Sequence, residues 1–230
     1  MSKPFIKRLK ISNFKSIDTL ELHDVGPFSV FAGANGTGKS NFFEALMFLN
    51  RLIVSGVEDS VRAHGGLETI RRLESSTRDT VFSFEIEAEL LLPDAFPFHY
   101  KIDIFELNGD FEISEFMDMD GHTILSRERG KAPLLQWEGN SQRIEQFRDD
   151  YSALTMAIRS PVSEFLRNTR HYRIDPTLAN RPSQSGSDPT VLDERGSNLA
   201  TVLSRMDENT DIRETILEWM NLIVPSVISI

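Results

Sequence analysis

Eight consecutive residues of this chain have the types and order needed to hold a polyphosphate: Gly33, Ala34, Asn35, Gly36, Thr37, Gly38, Lys39 and Ser40. They fit G-x-x-x-x-G-K-[ST], the pattern of a phosphate-binding loop. A nucleoside triphosphate presents several negative charges and many acceptor oxygens. Glycines let the backbone wrap closely around it, with N–H groups pointing inward as a nest. The helix that follows adds free N–H donors and a partial positive charge at its N-terminus. Lys39 can reach the β- and γ-phosphates, and the Ser40 hydroxyl can ligate Mg²⁺. ATP with Mg²⁺ is the ligand these residues imply. A Gly-rich turn before a helix is the alternative for the same residues, and the flanking sequence argues against it.

Residues 28–32 read as a short buried strand running into the loop, and Asn41 opens a helix leaving it. That helix spans 39–55, with Phe42, Leu46, Leu49 and Ile53 on one face, Phe43 and Met47 beside them, and Gly56 placed to end it. Residues 5–32 read as two or three strands, with Ile6, Leu9, Ile11, Phe14 and Ile17, then Leu20 and Leu22, as apolar positions and a turn at Val25-Gly26-Pro27. Residues 57–79 are polar and partly helical, with a break at Gly65-Gly66. Over 81–92, and again over 98–104, apolar and polar residues alternate with a period of two, as in strands with one wet face. Asn108-Gly109 and Asp120-Gly121 are hairpin turns, so 80–127 reads as an antiparallel meander. Helices are expected again around 140–168. A loop rich in Pro, Ser, Gly and Asp spans 175–196, followed by helices over 197–206 and from Asp211 to Pro225. Val227-Ile228-Ser229-Ile230 looks like a strand beginning. The organisation expected is a nucleotide-binding lobe at 1–79, an antiparallel β insert at 80–131 and a helical region at 132–230.

Composition narrows the chemistry. The chain has 230 residues, of which 40% are hydrophobic, enough for a packed core. It has no cysteine, which excludes disulfides, thiolate catalysis and cysteine-based zinc sites. No signal peptide and no apolar run of membrane-spanning length are seen, so a cytoplasmic protein with no membrane partner is the expectation. The net charge of −10 disfavours a surface coated for nucleic acid. A local basic strip remains: Arg159, Arg167, Arg170, Arg173 and Arg181 against Glu164 and Asp175. Solvated helix faces are its simplest reading.

The pattern Ile11-Ser12-Asn13-Phe14-Lys15-Ser16-Ile17, followed by Gly33 to Asn41, resembles the SMC/RecF-like branch of ABC-type ATPases. There a strand ending in N-F-K/R-S precedes a G-x-N-G-x-G-K-S-N loop by about this spacing. Tyr172-Arg173-Ile174-Asp175-Pro176, Gly196-Ser197-Asn198-Leu199-Ala200 and Val224-Pro225-Ser226-Val227 resemble RecF-like AAA-type ATPases of bacterial genome maintenance and phage defence. The resemblance implies an α/β fold: a P-loop NTPase core of the ABC/SMC-head kind, with an antiparallel β-rich subdomain and a helical segment. It implies that Asn13, Phe14, Lys15 and Ser16 contact base, ribose or phosphates, and that Asn35 lies close to the γ-phosphate. Core packing for Phe14 and solvent exposure for Lys15 are the competing readings. Two heads sandwiching ATP as a homodimer, and DNA or a partner nuclease as the target, are also implied.

Hydrolysis in that branch needs a Walker B strand, four apolar residues then Asp-Glu, and a Ser-x-Gly-Gln type signature. Neither is convincing here. Val191-Leu192-Asp193-Glu194 imitates Walker B, but Pro189 and the preceding Ser-Gly-Ser-Asp run leave no room for a buried strand. Ser183-Gln184-Ser185-Gly186 reads as a loop. Gln136, Gln142 and Gln146 compete as the loop glutamine. The catalytic residues therefore stay unassigned. The chain reads as the N-terminal part of a longer ATPase whose Walker B and signature would follow Ile230. A nucleotide-dependent switch with little turnover is the second reading. A GTPase is disfavoured because Asn-Lys-x-Asp is absent, and a nucleotide kinase because Arg71-Arg72 is too little for a lid.

Overall fold

A computed structural model describes residues 5–26, 28–72, 80–92, 94–156, 160–184 and 186–225. The protein is mixed α/β. Eight antiparallel strands form a single sheet: β1 (Phe5–Phe14), β2 (Ile17–Val25), β3 (Thr80–Leu92), β4 (Asp94–Leu107), β5 (Asp110–Met119), β6 (His122–Arg127), β7 (Leu134–Trp137) and β8 (Asn140–Arg143), in spatial order β2-β1-β3-β4-β5-β6-β7-β8. The helices are α1 (Lys39–Ser55), α2 (Val57–Ala63), α3 (Leu67–Ile70), α4 (Pro161–Arg167), α5 (Pro176–Ala179), α6 (Leu199–Asp207) and α7 (Thr210–Ile223). The chain divides into two compact units, Met1–Thr169 and Arg170–Ile230.

In the first unit the period-2 pattern works as read. Phe82, Phe84, Ile86, Ala88 and Leu90 of β3 are buried, with Phe98, Tyr100, Ile102 and Ile104 of β4 and Leu9 and Ile11 of β1. The alternation breaks at Asn13, whose φ of 59 is left-handed, a conformation Asn tolerates. Beyond it Phe14 is fully buried and Ile17 pairs with it across the β1–β2 turn. Helix α1 lies on this apolar face. Its Phe48 ring centroid sits 5.6 Å from Phe14 and 5.1 Å from Phe82, and Phe42, Ala45, Leu49, Leu52 and Ile53 are buried around it. Each such side chain contributes about 1.5–3 kcal/mol on burial. Gly56 ends the helix, its N–H donating to the Leu52 carbonyl. Asn50 then donates to the carbonyls of Leu166 and Arg167 at 3.2 and 2.6 Å, closing the end of α4.

The opposite face carries charge. Arg8 donates to Glu21 at 2.6 Å, Glu85 at 2.8 Å and Glu87 at 3.1 Å, and His99 Nε2 lies 3.0 Å from Glu85. Burial opposes ionisation of Glu85, but hydrogen bonds from Arg8 and His99 hold its carboxyl below the ordinary 4.5. The Arg8 hydrogen bond does the same for Glu21. At the far side of the sheet a buried group fastens the segment after β8. Glu115 accepts from Tyr100 Oη at 2.7 Å, Ser152 Oγ at 2.5 Å and Ala153 N at 2.7 Å. Burial pushes its carboxyl up against those bonds and the nearby Arg127 charge. Arg127, also buried, donates to the carbonyls of Lys131, Arg148 and Tyr151 and to Asp149.

Two expectations need correction. Residues 28–34 form no strand, and Phe28 and Val30 are 88% and 74% exposed. A buried strand needs a hydrogen-bonded neighbour, and among the described residues none runs beside this segment. Residues 140–168 are mostly not helical. Glu138 (φ 46) and Gly139 (φ 79) turn β7 into β8, the two left-handed positions a tight hairpin requires. Among the described residues up to 168, a 3-10 turn at Ala153–Thr155 and α4 are the helical elements. The expected strand at 227–230 lies outside the described residues.

Replacing Glu115 with Ala should cost about 3–5 kcal/mol in urea unfolding, because it leaves the buried Tyr100 Oη, Ser152 Oγ and Ala153 N–H without their acceptor, at about 1–3 kcal/mol for each unsatisfied group. Glu21 and Glu85 titrate lower folded than unfolded, so their stabilisation is complete above 4.5 and is lost as pH falls through their folded values. An Arg8→Met variant should therefore lose less stability than the wild type between about pH 6 and about pH 3, read by the same assay.

Candidate functional site

The loop from Gly33 to Ser40 is laid open to solvent at the N-terminus of α1. Gly36 (φ 84) and Gly38 (φ 87) are left-handed, the latter as the helix N-cap. No side chain caps this helix, and its first turn holds no acidic residue. Ser160, Asp175 and Asn209 hydrogen-bond the first N–H groups of α4, α5 and α7, while α2, α3 and α6 lack a side-chain cap as α1 does. The first N–H groups of any α-helix have no acceptor within the helix. At α1 they are left for an external anion, and the helix dipole favours one there.

Lys39 brings a full positive charge to the same place. Its ammonium donates to the carbonyls of Gly33 at 2.8 Å and Ala34 at 2.6 Å, and to Thr37 Oγ1 at 3.2 Å. Thr37 in turn donates to the Ala34 carbonyl at 3.0 Å. The side chain thus closes the loop into a ring around its own ammonium. A Cβ on Gly33 would sit 3.4 Å from Thr37 Oγ1 and 3.9 Å from Lys39 Nζ, in ordinary contact with both. Ser40 is exposed on the first turn, its hydroxyl open to a cation held by a phosphate. This donor set fits Mg²⁺-ATP in kind: backbone amides and ammonium for the phosphates, a hydroxyl for a hard cation.

The structure brings the 13–16 segment to this loop. Asn41 Nδ2 donates to Ser16 Oγ at 2.7 Å, and Ser16 Oγ lies 3.6 Å from where a Gly38 Cβ would stand. Lys15 pairs with Glu44 one turn into α1, and its backbone N–H donates to the Ile70 carbonyl at 2.8 Å. Phe14 is enclosed between Phe48 and Phe82, so its ring is a core element beneath the site. Asn13 supplies the left-handed turn that sends it there. Phe31 reaches α1 by its ring, 5.0 Å from Phe42 and 5.8 Å from Phe43. Ala34 and Asn35 are exposed at the mouth of the loop.

Other sequence candidates lie elsewhere. Asp193 sits in a loop and accepts from the N–H groups of Arg195, Ser197 and Asn198. It is committed to holding that turn, not to a strand end. Gln136 and Gln142 are on β7 and β8. Ser185 of the Ser-Gln-Ser-Gly run is outside the described residues, and Ser183 Oγ accepts from Thr201 N at 3.2 Å. What motif reading missed is the pairing of Lys15 with Glu44; the only trace in the sequence is that Glu44 lies one helical turn beyond Ser40, on the flank that meets the β1–β2 turn.

Comparison with known proteins gives a local sequence match and two distant structural neighbours. Over 44 residues the chain is 43% identical to DNA replication and repair protein RecF of Acinetobacter baumannii, in three strains. That match covers 19% of this chain and 12% of the relative, so the chain matches only a small part of the curated proteins. Among solved structures, the recombination mediator RecF bound to ATP is 13% identical, with 96% of this chain and 48% of that one covered, at a TM-score of 0.37. An SMC ATPase described for ATP-driven dimerization and DNA-stimulated activation is 17% identical over 52% of this chain and 71% of its own, at 0.31. No protein-family model matches. No described helix is long and apolar enough to cross a membrane.

A Gly38→Ala variant forces a side chain into the left-handed N-cap, costing about 1 kcal/mol or more. A lowered melting temperature with weakened nucleotide binding is the expected outcome.

Proposed function

We propose that this chain is the nucleotide-binding part of an SMC/RecF-like ATPase head of the ABC type. It binds ATP on the Gly33–Ser40 loop, with Ser40 holding Mg²⁺. The observation that carries the reading is the uncapped, acid-free N-terminus of α1 with the Lys39 ammonium inside its loop. The local likeness to RecF points the same way. Lys15, Ser16 and Asn41 border the loop and are the candidates for contacts around the phosphates or ribose; Asn13 and Phe14 act beneath them. Phe28 and Val30 stand exposed where this reading expects further strands of the head to lie.

On this reading the lobe at 1–79 is the nucleotide-binding part. The remainder of the head and a second copy of the protein complete the site, sandwich ATP and hydrolyse it in the cytoplasm. The work done is DNA repair, DNA maintenance or phage defence, with DNA, a partner nuclease or both as the target. A nucleotide switch with little turnover is the second reading. The commitment of Asp193 to its own turn favours it for these residues alone.

Calorimetry should show Mg-ATP binding to the wild-type chain and none to Lys39→Ala or Ser40→Ala. Equal affinity in all three proteins excludes the loop as the site. Turnover by this chain alone, matching that of a protein extended by the rest of the head, would exclude the switch reading.

A further inference from the structure

The sheet splits at one end, between β6 and β7. These strands pair at two positions, Leu125↔Leu135 and Ser126↔Leu134. Continuing that register would pair Ile124 with Gln136 and Thr123 with Trp137, and neither pair is made. The cause lies in β6. Its pairing with β5 steps from Met117↔Leu125 to Asp118↔Thr123, so Ile124 is an extra residue, a β-bulge. A bulge bends its strand and interrupts the ladder. The start of β6 therefore follows β5, while the end of β7 follows β8 through Gln136↔Ser141 and Trp137↔Asn140. Each hairpin closes in two left-handed residues, Asp120 and Gly121 (φ 52 and 78) or Glu138 and Gly139 (φ 46 and 79). In such two-residue hairpins the residues flanking the turn, here Met119↔His122 and Trp137↔Asn140, exchange both ladder bonds. The next residues inward, Thr123 and Gln136, turn their N–H and C=O groups the other way, toward the split.

The split holds an open cleft of about 820 Å³, the size of a binding site. Phe96, Met119 and Ile124 line it and pack on the core beneath. Trp137, 44% exposed, lines the β7 side. Asp120 and Glu138 line it from the two turns, and among the described residues no Lys or Arg does. His122 is the remaining ionisable group on the wall. Among the described residues neither carboxylate has a cationic partner. Ladder groups need hydrogen-bond partners, and an extended chain supplies them by strand addition. A cation is attracted by the face of a tryptophan, and two carboxylates without a basic neighbour select positive charge over negative. Register places the cleft at the end of the sheet that holds Phe98↔Met119 and Phe5↔Glu89, whereas Ser12↔Ser83 and Phe14 lie toward the nucleotide loop.

We infer that this cleft is a docking site for an extended peptide segment of a partner protein that carries arginine or lysine. The segment's backbone joins the sheet at Thr123 and Gln136, and its cation is held by Trp137, Asp120 and Glu138. The inference is independent of nucleotide binding, because no residue of the Gly33–Ser40 loop takes part in it.

The test uses the full chain and a labelled, end-blocked peptide of alternating Arg and Val, about six residues long, the length of an ordinary strand. Binding is read by fluorescence anisotropy at about pH 8, where an ordinary imidazole is neutral. The wild type should bind this peptide, and a peptide with Glu in place of Arg should not bind. Replacing one Val by Pro, which removes a ladder donor, should weaken binding about tenfold or more. D120N/E138Q and W137A variants should each bind about three- to tenfold more weakly. Hydrogen exchange at the amides of Thr123 and Gln136 should slow when the peptide is bound, which a contact through side chains alone would not produce. Melting curves show whether the exposed substitutions leave the fold intact; where one does not, the peptide series and the exchange measurement on the wild type decide. No wild-type binding at about 1 mM peptide, the weak end of specific affinity, overturns the proposal. So does equal affinity for the Pro or Glu peptide, in the folded variants, or unchanged exchange. Displacement of the peptide by an equal concentration of arginine amide assigns the cleft to a small cation and also overturns it.

Discussion

The burial of one stripe of α1 on the apolar face of the sheet is the constraint on which the rest of the molecule depends. Phe48 sits among Phe14 and Phe82, and Ala45, Leu49, Leu52 and Ile53 bury beside it. A helix held along its length has a fixed N-terminus, so the loop that precedes it is presented at a fixed place. The β1–β2 turn ends at that same place because Phe14 belongs to the same cluster. Ser16 meets Asn41 and Lys15 meets Glu44 as a consequence. A packing decision among aromatic rings thus positions an electrostatic site at their edge, where the Lys15 ammonium lies 5.8 Å from the Phe14 ring centroid.

The disposition of carboxylates follows a related economy. On the wet face of the sheet Arg8 gathers Glu21, Glu85 and Glu87, and in the buried layer Glu115 is matched to three donors near Arg127. Glu85, Glu87 and His99 lie close enough to suggest a metal cluster, but the guanidinium of Arg8 already answers that charge. The first turn of α1 holds no acidic residue. The absence matters because a carboxylate there would consume the N–H groups that an incoming phosphate needs.

Much of this was legible residue by residue. The period-2 alternation in 81–92 and 98–104 defined which side chains of β3 and β4 face the core, because in a strand successive side chains must point to opposite faces. Gly56 ended α1 where the helix reading placed it, and Asn108-Gly109 and Asp120-Gly121 turned the hairpins. The β7–β8 hairpin escaped because its strands are four residues each, too short for periodicity to register, and because Glu-Gly is a weaker turn signal than Asn-Gly. Residues 28–32 looked like a buried strand because their composition is apolar. Composition says that a segment favours burial; it does not supply the neighbouring strand that burial requires.

By itself the sequence determined the chemistry of the loop: which residues can offer amides, an ammonium and a hydroxyl, and in what order, since these are local properties of side-chain type and backbone freedom. It also determined which strands have one wet face. Only the tertiary structure decided that Phe14 is core while Ser16 borders the loop. Adjacent residues in a turn can face opposite ways, and a single left-handed Asn13 sets which does which. The tertiary structure likewise decided that Asp175, Asp188 and Asp193 hold the backbone N–H groups of their own turns, because whether a carboxylate meets a guanidinium or a backbone N–H depends on distances that no count of charges contains.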